Sequence, residues 1–313
     1  MWCMCGSRTA STSQWPTRRF HPAAPNPMRP TANGVPPLPR GEANNLVHNS
    51  PMNLQESSAE GSHALPIGSA ALEVLRELKY RHPQIEEITF VTYPDSPGFE
   101  ERSQQQGPGL RDVFHRAASL AQSTNCDVPL WDIAWSLANT PDVFEQLVTQ
   151  SLGHDLNGQP SQTFCFATAP LGVQYIREKI QGLRSDVVLA ICSKCRLVDG
   201  SVAHIPMMDF RCKSSPENQK KVESSLRGVG QKAGYILESG RSYHYYGIDL
   251  MDEKSWIQFM GKCLLLSPLV DSRYIAHRLI EGTCALRVST SERHPKFPTV
   301  VANLQERVAQ QNE

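Results

Sequence analysis

The chain has 313 residues, with 31 Lys and Arg against 31 Asp and Glu, and an apolar fraction of 40%. A formal charge of zero excludes a histone-like coat, a basic peripheral membrane protein and an acidic solvating tail, each of which carries a large excess of one sign. Any contact with phosphate or nucleic acid must therefore be local. The nine cysteines are an odd number, scattered from Cys3 to Cys284, as in a reduced, cytoplasmic protein rather than a disulfide framework. No apolar run approaches the roughly 20 residues a membrane helix needs. The N-terminus also lacks the order of a signal peptide.

Residues 1–65 hold nine of the 23 prolines between Pro16 and Pro51, with five arginines and no lysine. A segment of this composition cannot bury enough apolar surface to offset the entropy of ordering, so a disordered Pro-rich tail is expected. Translation starting at Met52 is an alternative. A docking role for Pro36-Pro37-Leu38-Pro39-Arg40 is a third. From Pro66 onward the pattern becomes globular. Leu72, Leu75, Leu78 and Tyr80 predict a helix, Ile88–Tyr93 a strand, and Pro94-Asp95-Ser96-Pro97-Gly98 a turn. A mobile stretch at Glu100–Gly109 precedes three helix candidates, Leu110–Ala121, Leu130–Ala138 and Pro141–Leu152. Trp131 and Trp135, four residues apart on one helical face, read as core rather than as a ligand-stacking pair, and His154 reads as a surface or capping histidine. A turn at Asn157-Gly158, a strand at Thr163–Ala167 and a helix at Leu171–Ile180 complete a helix-rich part spanning 66–185.

Residues 186–313 read differently. Asp186–Cys195 and Ser201–Phe210 are β-rich runs joined through Asp199-Gly200, a hairpin signature. Ser215-Pro216-Glu217 starts a helix that runs to about Gly234, and Tyr235–Glu238 and Tyr243–Tyr246 form two short strands around Ser239-Gly240-Arg241. Asp252 caps a helix through Leu264. A last helix, Ser272–Leu279, precedes the strand Cys284–Ser289, and a short tail follows. Strands in hairpins, interrupted by helices, indicate an α+β fold with mixed or antiparallel sheets and flanking helices. No Gly-rich phosphate loop is present: Gly228-Val229-Gly230 lies in a helical pattern without the third glycine or a following Lys-Ser/Thr.

Three segments stand in order. His204–Phe210 is an apolar strand bearing Asp209. About 30 residues later comes Ser239-Gly240-Arg241-Ser242-Tyr243-His244. The third is Leu269-Val270-Asp271-Ser272-Arg273-Tyr274, followed by His277-Arg278 and Leu286-Arg287. In this order they resemble the three catalytic motifs of the archaeo-eukaryotic primase (primase-polymerase) superfamily: an acidic strand on a hairpin, a Ser-x-His strand entered from a turn, and a later carboxylate followed by basic residues. The resemblance covers roughly Asp186–Ser291 and implies a primase-polymerase-like core in the C-terminal half.

The resemblance also implies roles. Asp209 and Asp271 would be catalytic carboxylates holding Mg2+ or Mn2+, while Ser242, His244, Arg241, Arg278 and Arg287 would bind the nucleotide. Primer synthesis or polymerisation in DNA replication or repair, with a nucleoside triphosphate or nucleic acid as partner, would follow. The family's first motif carries a second acidic residue two places away; here those places hold Met207 and Arg211, neither of which ligates Mg2+. A primase 1D-like branch with a single aspartate in that motif is therefore expected. Its chemistry divides between metal-dependent nucleotidyl transfer and a degenerate binding or sensor module working through a protein partner. Taken singly, Asp209 could cap a turn, His244 could be a core histidine, Asp271 could be an N-cap, and the arginines could line a solvated face. Cys192-x-x-Cys195 has zinc spacing, but no second pair follows and a single strand would point the two thiols to opposite faces, which disfavours zinc.

Overall fold

The computed structural model describes residues 64–95, 103–104, 106–124, 128–152, 162–167 and 173–305. The tail expected over 1–65, apart from its last two residues, lies outside them, as do Met52, His154, the Asn157-Gly158 turn and part of the 100–109 stretch. The elements in chain order are α1 (Ala71–Arg81), β1 (Ile85–Pro94), α2 (Pro108–Ser123), α3 (Leu130–Leu137), α4 (Pro141–Leu152), β2 (Gln162–Ala167), α5 (Val173–Gln181), β3 (Val187–Leu197), β4 (Val202–His204), β5 (Met207–Asp209), α6 (Pro216–Gly228), β6 (Gly234–Glu238), β7 (Tyr243–Gly247), α7 (Glu253–Leu264), α8 (Ser272–Glu281), β8 (Ala285–Arg287) and β9 (Thr299–Leu304). The α+β expectation holds: helices flank two sheets, and every strand pairing is antiparallel. No helix among the described residues is long and apolar enough to cross a membrane.

The first sheet runs β2-β1-β3, and the far side of β3 pairs with β4 and β8 in turn. It therefore draws strands from both sides of residue 186. The second sheet runs β5-β7-β6-β9. The run 201–210, read above as one strand, is split between the sheets: His204 pairs with Lys194 in the first, whereas Met207–Asp209 pair with Tyr246–His244 in the second. Pro206 stands at the break. It has no N–H to give a ladder, and its carbonyl accepts from Gly247 N at 2.7 Å. Residues 299–304, read as part of a tail, form the strand β9 against β6. Their alternation of buried Val300, Ala302 and Leu304 with half-buried neighbours is the period-2 signature of a strand packed on one face.

One apolar cluster joins both sheets with α1, α6, α7 and α8, and Phe90, Ile191, Ile205, Phe210, Tyr245, Tyr246 and Trp256 are buried in it. A second, built by α2, α3 and α4, centres on Leu110, Phe114, Ala117, Ile133 and Leu147. Trp131 and Trp135 pack beside it as expected, Trp131 edge-on to Phe114 at 5.0 Å. Local chemistry fixes the helix starts that matter below. Ser215 caps α6 by accepting from Asn218 N, with Pro216 in its first turn, and Asp252 caps α7 by accepting from Ser255 N. The carboxylate of Asp271 caps α8, accepting from Arg273 N at 2.9 Å, and Gly282 ends that helix in the left-handed conformation.

Candidate functional site

Strand pairing assembles the site. In the β5-β7 ladder Asp209 lies directly across from His244. On the other edge of β5, Phe210 bridges Val270 in antiparallel sense and Arg211 N donates to Leu269 O at 2.9 Å. That register sets Asp271 across from Asp209. The result is a row Asp271, Asp209, His244, Leu237 across one face, since residues opposite one another on paired strands project to the same side with Cβ atoms about 5 Å apart. The three motif residues, about 30 positions apart in the chain, are thus lateral neighbours. Asp271 is both the N-cap of α8 and a member of this row.

The electrostatics of the row are unequal. His244 is 6% exposed, its Nε2 stands 3.6 Å from Asp209 Oδ1, and its Nδ1 is buried without a hydrogen-bond partner. Burial, then the Arg287 charge, then His294, push the imidazole down to about 3, so it is neutral at physiological pH. Asp209 moves the other way, up to about 7, first because surrounding protein strips water from it and second because of the Asp271 carboxylate. Arg287 and Arg278 oppose that rise, as does the open side of the carboxylate, whose side chain keeps 41% of its surface accessible. Two carboxylates facing each other with this cost are a place where added positive charge would be stabilising.

The basic residues play different parts. Arg287 donates to Ser239 O at 2.6 Å, Lys296 O at 3.0 Å and Ser289 O. It thereby ties the 239–242 turn to the 289–296 loop and holds its charge beside His244 and Asp209 while its N–H groups serve backbone carbonyls. The turn closes with Ser239 N donating to Ser242 O at 2.9 Å, with Gly240 at φ +106, a backbone angle that side chains disfavour. Ser242, two residues before His244, lies on the same side of the strand line, its hydroxyl 3.3 Å from that of Ser239. Arg241 at the tip is exposed. Arg278 is 12% exposed and ion-paired with Glu281 at 2.7 Å, yet its charge reaches Asp209.

Sequence reasoning missed His294. Its ring lies 3.6 Å from Asp95, and burial together with Arg287, Arg241 and Arg293 lowers its pKa. Those influences place Arg241, Arg287, Arg293 and His294 around the end of the site beyond His244. A signal was present in the Arg293-His294-Pro295 stretch, but only the fold brings that loop back to β7. The site therefore has an acidic end at Asp209 and Asp271 and, beyond the neutral buried imidazole, the arginines Arg241, Arg287 and Arg293 gathered around His294 and Asp95.

Two carboxylates in register suit the way Mg2+ or Mn2+ is commonly held, by one or two carboxylates with the remaining positions left to water and phosphate oxygens. Among the described residues no three His, Cys, Asp or Glu side chains form a complete metal cage. Asp209 and Asp271 are thus the pair of carboxylates that could hold such an ion. Cys192 and Cys195 pack into different apolar clusters on opposite sides of β3, and Cys195 donates to Ala203 O with its thiol pushed up to about 11 by burial. Buried thiols of this kind are unreactive.

Residues 168–299 match the family described as archaeo-eukaryotic primase 1D-like (AEP-like). The match contains β3 to β8 and every residue of the row. No curated protein and no solved structure gives a significant match.

Proposed function

From the match of residues 168–299 to the archaeo-eukaryotic primase 1D-like family, we propose that the row Asp271-Asp209-His244 binds a nucleoside triphosphate and serves metal-dependent nucleotidyl transfer onto a nucleic-acid end. The observation that carries this reading is the polarity of the row. A carboxylate pair that gains from a cation lies next to an imidazole that stays neutral, and beyond it stand arginines and His294. A triphosphate laid along such a row would meet the ion at the carboxylates, a neutral hydrogen-bond donor at His244 and arginine charge beyond it.

Each residue has a distinct task. His244 is fixed by burial with Nδ1 enclosed; its Nε2 faces the row, 3.6 Å from Asp209, and the neutral tautomer protonated there can donate to a phosphate oxygen. Its low pKa keeps that donor in one state across the working pH range. Arg287 holds the Ser-Gly-Arg-Ser turn in place, so that Ser242 and Arg241 are presented from a rigid support. Asp209 and Asp271 would hold the divalent ion, which when bound neutralises charge on the phosphates and orients the attacking hydroxyl. Asp271 is anchored through the helix it caps.

The second reading is a binding module that recognises a nucleotide or strand end without transfer. It is favoured by Met207 and Arg211, which occupy the positions two residues either side of Asp209 where further carboxylates would share its face. Both readings require a nucleotide pocket at His244. Thermal unfolding in the presence of Mn2+ and increasing ATP or dATP tests it. At about 100 times Kd a ligand specific for the folded state adds about 2.7 kcal/mol, roughly 5–10 °C in Tm for a chain of this size. Wild type is expected to show that shift and His244→Gln to lose most of it. Equal shifts in the two proteins would remove His244 from the site, and no shift in wild type would remove the pocket.

A further inference from the structure

The helical layer formed by α2, α3 and α4 lies outside the family match, yet it touches the acidic end of the row at two points. Both contacts begin two residues after a carboxylate. Arg273, which follows Asp271, lays its guanidinium 3.5 Å from the centre of the Trp131 ring on α3. Its Nη1 donates to Ser151 Oγ at 2.8 Å and its Nη2 approaches Ser151 O at 3.4 Å. Ser151 O is among the last four carbonyls of α4, which have no partner within their own helix, and a cation there also opposes the helix dipole. Arg211, which follows Asp209, reaches Val128 O at 3.4 Å, just ahead of α3.

We propose that Arg273 is a positioning residue: by stacking on Trp131 and bonding Ser151 it fixes the first turn of α8, and with it Asp271, at the spacing from Asp209 that a divalent ion needs. The inference rests on reading Asp209 and Asp271 as the ion-holding pair. The path is short. Asp271 Oδ1 accepts from the backbone N of Arg273, so the residue whose side chain is bolted to the helical layer is the one whose amide orients the carboxylate. The guanidinium suits the task because its plane stacks on an indole while its forked donors reach a helix end, whereas an ammonium on a flexible stem can do only one of these at a time. The layer has its own apolar core, against which Trp131 itself packs.

The test is Mn2+ binding by the full chain, with free Mn2+ followed by its EPR signal and no nucleotide present. Wild type is expected to bind one ion, and Asp209→Asn and Asp271→Asn to lose it; asparagine remains a good N-cap, so the second change removes charge without uncapping α8. Arg273→Lys is expected to weaken Mn2+ binding about tenfold or more, the usual penalty for removing a group that orients a ligand. Trp131→Phe, which keeps a ring face under the guanidinium, should stay near wild type. Should circular dichroism show Arg273→Lys unfolded, Ser151→Ala carries the same test through loss of one donor-acceptor pair. Wild-type affinity in the arginine variant (or in its replacement), with both aspartate variants defective, overturns the positioning role alone. Absence of binding in wild type, or binding indifferent to Asp209 and Asp271, overturns the ion-holding reading and the inference with it.

Discussion

Asp209→Asn is expected to abolish transfer of labelled nucleotides from NTPs or dNTPs in Mg2+ or Mn2+ and, in the same protein, to raise stability above neutral pH. The first effect follows from removing one of two carboxylates at the acidic end. The second follows from the proton balance. The carboxyl has a pKa near 3.9 in an unfolded chain and about 7 in the fold. A raised folded value means that the native state holds the proton more tightly; the associated stability is fully present below about pH 4 and is lost as pH rises through 7. Asparagine cannot ionise, so the variant escapes that loss.

His244 produces the opposite slope. Its folded value near 3 lies below the ordinary imidazole value of 6.5, so its contribution is present above 6.5 and is lost as pH falls towards 3. In wild type the two slopes partly cancel between pH 4 and 6.5. Unfolding by urea across pH 4–9 separates them. The gap between Asp209→Asn and wild type should widen from pH 5 to pH 8, and His244→Gln should be less acid-sensitive than wild type. A constant gap would mean that Asp209 ionises as an ordinary surface carboxylate and that the row does not concentrate negative charge. A variant that still transfers nucleotide would exclude Asp209 from the chemistry.

Gly234→Ala is expected to cost about 3 kcal/mol, roughly 6–12 °C in Tm. A Cβ at this position would stand 2.5 Å from Tyr246 O and 2.6 and 2.7 Å from the ring and hydroxyl of Tyr245. Neither neighbour can yield. Tyr246 is fully buried in an interior strand of the sheet, and the Tyr245 hydroxyl is held by Ala233 O at 2.8 Å and Gln231 Oε1 at 3.0 Å. The consequence reaches the site because Gly234 faces Gly247 in the same β6-β7 ladder that sets His244 opposite Leu237. Gly228→Ala is the control: no atom stands within 4 Å of its added Cβ, and at the end of a helix the change is neutral or mildly stabilising. If Gly234→Ala unfolds within 1 kcal/mol of wild type, the close approach of β6 to Tyr245 is wrong.

The site was legible to the extent that local patterns carry it. Asp209, His244 and Asp271 could be picked out because their segments, an apolar run closed by a carboxylate, a Ser-Gly turn into a strand and a carboxylate ahead of a helix, come in the order of the primase-polymerase motifs they resemble. Their side-by-side order could not, because register between strands depends on pairings between residues far apart in the chain. The same reason hid His294, which the 289–296 loop returns to β7 through the Arg287 clamp. It also hid the role of Arg287, a residue with the look of a phosphate ligand that grips three carbonyls.

The fold followed a similar division. Helix starts at Ser215, Asp252 and Asp271 were readable from capping chemistry alone. The split of 201–210 at Pro206 was within reach, since proline inside a strand pattern signals a break or an edge. Strand β9 was not, because six residues near a chain end give too short a window for period-2 alternation to outweigh a tail. The contact of Arg273 with Trp131 joins segments more than 140 positions apart, one of them outside the primase-like stretch. No local pattern encodes it.

One row of side chains is expected to hold both a divalent ion and a triphosphate. Anomalous scattering from Mn2+ in crystals grown with Mn2+ and a non-hydrolysable nucleoside triphosphate tests it most directly. One manganese peak is expected between Asp209 and Asp271, about 2.2 Å from a carboxylate oxygen of each, with phosphate density extending past His244 towards Arg241 and His294. Manganese bound elsewhere, or a triphosphate that does not touch His244, would contradict it.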